Sequence, residues 1–128
     1  MRYTPENITK LAENEIFVFG SNARGMHGKG AAKQAYLYFG AEYWVGEGLT
    51  GQCYALPTLD GNLNKLSDDE LSEHVSTFLD TADGNPNLVF LLTRVGCGLA
   101  GYDEEYIKSV FKEFESEWPS NVIKPEGW

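Results

Sequence analysis

A chain of 128 residues points to one domain, residues 1–128, long enough to bury a single sizeable core. With 42% hydrophobic and 13% aromatic residues, the composition is globular and excludes a disordered chain. A formal net charge of -9 disfavours duplex nucleic acid, which calls for a basic face, but leaves room for a small anion held by backbone N–H groups.

In chain order, Met1 to Glu15 is short and polar, with apolar points at Ile8 and Leu11. Ile16-Phe17-Val18-Phe19 follows, four apolar residues in a row, and reads as a strand buried on both faces, as in a parallel sheet. The chain then carries glycines at 20, 25, 28 and 30 among small and polar residues, a loop in which no Cβ keeps ligand atoms from the backbone. From about Gly30 to Phe39 it reads as a helix, stopped by Gly40. Strand, glycine loop and helix N-terminus in that order suit an anion, most often a phosphate, because the first N–H groups of the helix are free and its dipole is positive there. The P-loop pattern is not met: Gly28-Lys29 is followed by Gly30, and Ala23 stands five residues before Gly28. A plain connecting turn is the other reading of this loop.

Glu42 to Gly51 is aromatic and then glycine-rich, and reads as irregular. Cys53-Tyr54-Ala55-Leu56 reads as a strand ended by Pro57. Asp60-Gly61-Asn62 is a turn, and Ser67 followed by Glu70 fits a capping box. The helix after it places Leu71, Val75, Phe78, Leu79 and Ala82 on one face, and Asp83-Gly84-Asn85-Pro86 breaks it. Leu88 to Leu92 is a second fully apolar strand, which meets Gly96-Cys97-Gly98-Leu99-Ala100-Gly101. Asp103 caps a last helix whose apolar face runs through Ile107, Val110, Phe111, Phe114 and Trp118, and Val122-Ile123 reads as a short strand. The alternation predicts an α/β protein with a largely parallel sheet.

Both apolar strands therefore end in glycine loops that open into helices. Ligands of open α/β sheets bind beyond the carboxyl ends of the strands. If the two strands are parallel neighbours, their loops form one cleft, and two sets of N–H groups fit a diphosphate better than a single phosphate.

Four segments in this order resemble a known family. Asn7-Ile8-Thr9-Lys10-Leu11 is similar to the opening of macrodomains, the ADP-ribose-binding fold. Gly20-Ser21-Asn22 is similar to the end of the strand that carries the family's distal-ribose asparagine. Gly28-Lys29-Gly30-Ala31-Ala32 resembles its glycine loop before the first helix, and Arg94-Val95-Gly96-Cys97-Gly98-Leu99 its second phosphate loop. That last segment is closest to the branch that removes ADP-ribose esters from glutamate. The resemblance spans roughly Asn7 to Phe114. It implies a three-layer α/β/α sandwich with a mixed, largely parallel sheet, and ADP-ribose or a related nucleotide derivative as partner. The ligand-binding positions it implies are Asn7, Ile8, Ser21, Asn22, Gly28, Lys29, Gly30, Ala31, Gly96, Cys97, Gly98, Leu99, Ala100, Gly101 and Tyr102.

The departures concern selection and catalysis. Asn7 stands where the family usually holds an adenine-selecting Asp, although its amide oxygen still accepts a hydrogen bond. Ala100 stands where the ester-cleaving branch has an Asp, and Leu59 where it has a Lys. Ala32 replaces the Asp that a different hydrolase branch carries. None of these catalytic sets carries over, which leans the expectation toward a reader or sequestering module over a hydrolase of a derivative such as ADP-ribose 1''-phosphate.

The remaining candidates each carry two readings. His27 is a catalytic acid–base candidate if the protein is an enzyme, and otherwise an exposed loop histidine. Asn22 bonds ribose hydroxyls or turns its own loop. Tyr102 packs on the ligand or in the core. Lys29 and Arg24 meet phosphate charge or stay solvated. Tyr43 and Trp44 wall the site or join the core. Asp103, Glu104 and Glu105 are expected to point away from the cleft, because their charge opposes an anion there. Cys53 and Cys97 form no CxxC and have no nearby His, so no zinc site or other metal is expected, and no cofactor is expected either. No apolar leader opens the sequence and no run is long enough for a bilayer, so the expectation is a cytoplasmic protein with reduced thiols and no membrane partner.

Overall fold

A computed structural model describes residues 2–128. It is an α/β protein built on a five-stranded, mostly parallel mixed sheet with three helices. The strands are β1 (Glu15–Asn22), β2 (Gly48–Thr50), β3 (Cys53–Leu59), β4 (Val89–Leu92) and β5 (Val122–Ile123). The helices are α1 (Gly30–Tyr38), α2 (Asp68–Asp83) and α3 (Glu104–Lys112). The strand order is β2-β3-β1-β4-β5. β1 is the middle strand and pairs parallel with both β3 and β4, while β2 runs antiparallel at one edge.

Burial on both faces of the sheet follows from the run Ile16 to Phe19. Alternate residues point to opposite faces of a strand. Phe17 and Phe19 pack with Ala32 and Ala35 of α1 and with Phe39 just after it, whereas Ile16 and Val18 pack with the layer of α2 and α3. Tyr54, Phe78 and Phe90 meet at the centre of that second layer, with ring centroids 4.9 Å apart for Tyr54–Phe78 and 5.9 Å for Phe78–Phe90. The result is a three-layer sandwich. α2 opens on the expected capping box: Glu70 N–H donates to Ser67 Oγ at 3.2 Å and Ser67 N–H to Glu70 Oε1 at 3.0 Å.

Four boundaries differ from expectation. β3 does not stop at Pro57 but continues to Leu59. β2 pairs with β3 only from Cys53 to Ala55, so the missing N–H of Pro57 falls where that edge has no partner strand. Within the stretch read as irregular, Gly48–Thr50 forms β2. β1 runs past the apolar stretch Ile16 to Phe19 and through Gly20-Ser21-Asn22, where the resemblance puts the strand end, with a shift of register between Ser21 and Asn22. α3 ends at Lys112, so Phe114 and Trp118 lie beyond it, around a 3-10 turn at Glu115–Glu117, yet both still pack on the same core. No helix among the described residues is long and apolar enough to cross a membrane.

Candidate functional site

The parallel pairing of β3, β1 and β4 brings three strand ends to the same side of the sheet. An open cleft of about 700 Å³ lies there. That volume is within the range of small-molecule sites, about 300–1,000 Å³. Its floor is Gly20-Ser21-Asn22 from β1, Thr58 and Leu59 from β3, and Thr93 to Gly96 after β4. One wall is the first glycine loop and the start of α1, Gly28 to Ala32; the opposite wall is Gly98, Leu99 and Ala100. The two glycine loops thus face each other across one cleft.

Glycine is needed at particular points. A Cβ on Gly20 would come within 3.1 Å of Gly96 N, so the strand end and the second loop approach at backbone distance. Gly96 has φ +77°, and a Cβ there would press on Tyr102 at 3.1 Å. Gly98 differs: nothing lies within 4 Å of an added Cβ, so this residue borders open cleft.

The electrostatics are asymmetric. Among the described residues no Asp or Glu lines the cleft, despite the chain's charge of -9. Lys29 is the residue preceding α1, and its side chain does not cap the helix. No acidic residue stands in the first turn. The N-terminal end of α1 therefore keeps free N–H groups and an uncompensated positive dipole facing the cleft. α3 is the contrast. Glu105 N–H donates to Asp103 Oδ1 at 3.1 Å, and Glu104 and Glu105 fill its first turn. As expected, none of these three carboxylates lines the cleft. Arg94 does line it, but its guanidinium donates to Glu104 at 2.8 Å, to Glu6 at 3.1 Å and to the Glu126 carbonyl at 3.0 Å. Arg94 thereby joins the N-terminal segment, α3 and the C-terminal segment, with its charge already balanced.

Of the expected site residues, Ser21, Asn22, Gly28, Lys29, Gly30, Ala31, Gly96, Gly98, Leu99 and Ala100 come together around the cleft. Asn22 also has a local role: its amide donates to the Met26 carbonyl at 3.0 Å and accepts from Met26 N–H at 3.1 Å, closing the first loop. Ser21 Oγ donates to the Gly46 carbonyl.

Other expected site residues lie elsewhere. His27 is 1% exposed and does not line the cleft. Its Nε2 bonds the Glu42 carbonyl at 2.9 Å and its ring packs edge-on against Phe19. A carbonyl only accepts, so Nε2 carries the hydrogen. The ring is a buried support for the loop and not the exposed histidine that was one of its two readings. Tyr102 also turns inward. Its hydroxyl donates to the Thr58 carbonyl at 2.7 Å and accepts from Leu66 N–H at 2.8 Å. Cys97 and Gly101 belong to the second loop but do not border the cleft, and burial pushes the Cys97 thiol up to about 11. Asn7 is exposed outside the cleft, and Ile8 is core, packed with Phe17 and α1. Arg24 is exposed outside it as well.

Of the two readings of Tyr43 the structure takes the first: it lines the cleft together with Met26, Thr58, Leu63 and Thr93, which the sequence did not single out. The Thr58 and Thr93 hydroxyls donate to the β1 carbonyls of Ser21 and Val18, at 3.3 and 2.6 Å. Ala32, Leu59 and Ala100, three positions without an ionisable group, all border the cleft. Among the described residues, no three His, Cys, Asp or Glu side chains gather as a metal site requires.

Fold and site together define an α/β sandwich with an open cleft at the carboxyl ends of its central strands. No protein-family model matches the chain, and no curated protein matches it. A solved structure of a protein of unknown function from Bacteroides thetaiotaomicron is similar in fold. It is 18% identical, with a TM-score of 0.54 over 91% of this chain and 90% of that one.

Proposed function

We propose that the protein is a divergent macrodomain that binds ADP-ribose or a related nucleotide derivative through its two glycine loops, as a reader or sequestering module. The observation that carries this reading is the uncapped start of α1, facing the second glycine loop across a cleft lined by no carboxylate. A diphosphate between the loops would meet N–H groups on one side and open glycine backbone at Gly98 on the other. The order of the strand ends, with Asn22 closing β1 and Gly96 to Ala100 following β4, supports the resemblance noted in the sequence.

A binding module is favoured over a hydrolase. Ala32, Leu59 and Ala100 border the cleft without offering a nucleophile or acid, and His27 is buried outside it. The two free thiols, Cys53 buried and Cys97 half-buried, suit a reducing compartment, and we place the protein in the cytoplasm. A thermal-shift screen with ADP-ribose, ADP-ribose 1''-phosphate, NAD and cyclic nucleotides tests the reading, since a ligand that binds only the folded state raises the melting temperature. The expected result is a dose-dependent rise with ADP-ribose and none with cyclic nucleotides. A rise with cyclic nucleotides alone would replace the ligand class.

A further inference from the structure

We propose that Tyr43 is a ligand-contacting residue whose phenol donates a hydrogen bond to an anionic oxygen, phosphoryl in class, seated at the start of α1. Only the identity of the whole ligand rests on the reading above; the role of Tyr43 rests on its own geometry.

Tyr43 sits on the segment between α1 and β2, and that segment is clamped along the first glycine loop at several points. Trp44 N–H donates to the Gly25 carbonyl at 2.6 Å, His27 Nε2 donates to the Glu42 carbonyl at 2.9 Å, and Ser21 Oγ donates to the Gly46 carbonyl. The fit is backbone against backbone: a Cβ on Gly25 would collide with Trp44 and Val45, and one on Gly46 with Asn22 and Ala23. Trp44 has φ 75°, the left-handed region that costs a bulky residue energy, and it is 65% exposed. A strained tryptophan left facing solvent gains little core burial, and strain of this kind clusters beside ligand sites.

The clamp fixes the Tyr43 ring. It packs edge-on against His27, Tyr36 and Trp44, with centroids 5.6, 5.4 and 4.9 Å away. His27 packs in turn on Phe19 in the core, which gives the buried histidine a purpose. So held, the Tyr43 hydroxyl lies 3.8 Å from where a Cβ of Gly28 would stand, on the lining of the cleft. Among the described residues it has no hydrogen-bond partner, unlike the Tyr102 hydroxyl, which has two. Lys29 lines the same end, and among the described residues it makes no ion pair. This end thus gathers a phenol, an ammonium and the free N–H groups of α1. All three donate, and the chemistry they share is recognition of an anionic oxygen.

Titration calorimetry of wild type and Tyr43→Phe, with ADP-ribose and separately with inorganic pyrophosphate, tests this. The variant keeps the ring and its three aromatic neighbours, so the free protein should melt as wild type does. Affinity for both probes should fall about tenfold or more, the loss of a charge-assisted hydrogen bond. Ligand should also shift the ring carbon bearing the Tyr43 hydroxyl in NMR spectra of wild type, a change that a merely structural ring would not show. Equal affinities within twofold, or an unshifted ring carbon, would overturn the role of Tyr43 and leave the ligand reading intact. Binding of pyrophosphate but not ADP-ribose, still weakened in the variant, would keep Tyr43 and overturn the ligand reading. Binding of neither probe would overturn both.

Discussion

Leu99 of the second glycine loop reaches across to Gly30 at the start of α1: a Cβ on Gly30 would lie 3.2 Å from Leu99 Cδ1. The two loops therefore approach each other closely here, and both residues line the cleft. Leu99 is 76% exposed, a large apolar side chain held over the cleft mouth from a loop with glycines on both sides. Gly30, with φ +60°, begins the helix in a conformation other residues avoid, which brings the first N–H groups of α1 close to that bridge.

Gly98 and Gly96 should separate binding from folding. Gly98 has open space around it, so Gly98→Glu should fold with stability within about 0.5 kcal/mol of wild type. Its carboxylate would enter the cleft and repel an anion, so affinity for ADP-ribose should drop by at least about tenfold, 1.4 kcal/mol. Gly96→Ala meets both a positive φ and a crowded neighbour, and should cost about 1–3 kcal/mol of stability. Urea titrations paired with calorimetry read both quantities. A Gly98→Glu protein that binds like wild type would place the anion elsewhere.

Tyr102 should behave as a structural residue. Its hydroxyl joins β3 at Thr58 to the segment before α2 at Leu66, and the stacked ring of Tyr106 covers it. In Tyr102→Phe the Leu66 N–H and the Thr58 carbonyl lose their buried partner, at about 1–3 kcal/mol. Denaturation midpoints should fall accordingly, while affinity for ADP-ribose stays near wild type. A stable variant with weakened binding would return Tyr102 to the ligand site.

Cys53 should make the fold sensitive to alkali. Burial raises its thiol from 9.0 to about 12, and Tyr54 beside it rises from 10.0 to about 12 for the same chief reason. A raised acid keeps its proton longer in the folded state than in the unfolded one. Its stabilising effect is complete below the unfolded value and fades as pH climbs toward the folded value. Between pH 9 and 12 wild type should lose on the order of 1 kcal/mol of stability per pH unit more than Cys53→Ala does. Stability measured by urea at stepped pH checks this, and identical slopes would show that the thiol is not protected in the fold.

The α/β alternation and its largely parallel sheet were legible because their signals are local. Two all-apolar strands, the Ser67–Glu70 capping box and the glycine after α1 each announce themselves within a few residues. β2 did not, because a three-residue edge strand with Gly48 in it has no alternation to read. Pro57 misled because what matters is whether a neighbour strand reaches it, and β2 stops short. In the candidate site, the residues that line the cleft through backbone position, such as Gly28 to Ala31, followed from loop order alone. His27, Tyr43 and Tyr102 did not, since their surroundings come from remote segments. His27 is buried by Glu42 and Tyr43, fifteen residues and more away, and Tyr102 is held by Thr58 and Leu66. Each carried two readings in the sequence, and only the remote segments decide that Tyr43 lines the cleft while His27 and Tyr102 are buried beside it.

The central claim is that the cleft between the α1 N-terminus and the 96–100 loop takes a nucleotide diphosphate, and titration of the wild-type protein with ADP-ribose tests it most directly. Isothermal calorimetry at physiological salt should give one site per chain with a dissociation constant of about 1 μM, near -8 kcal/mol. The absence of heat, together with an unchanged melting temperature at millimolar ADP-ribose, would contradict the account.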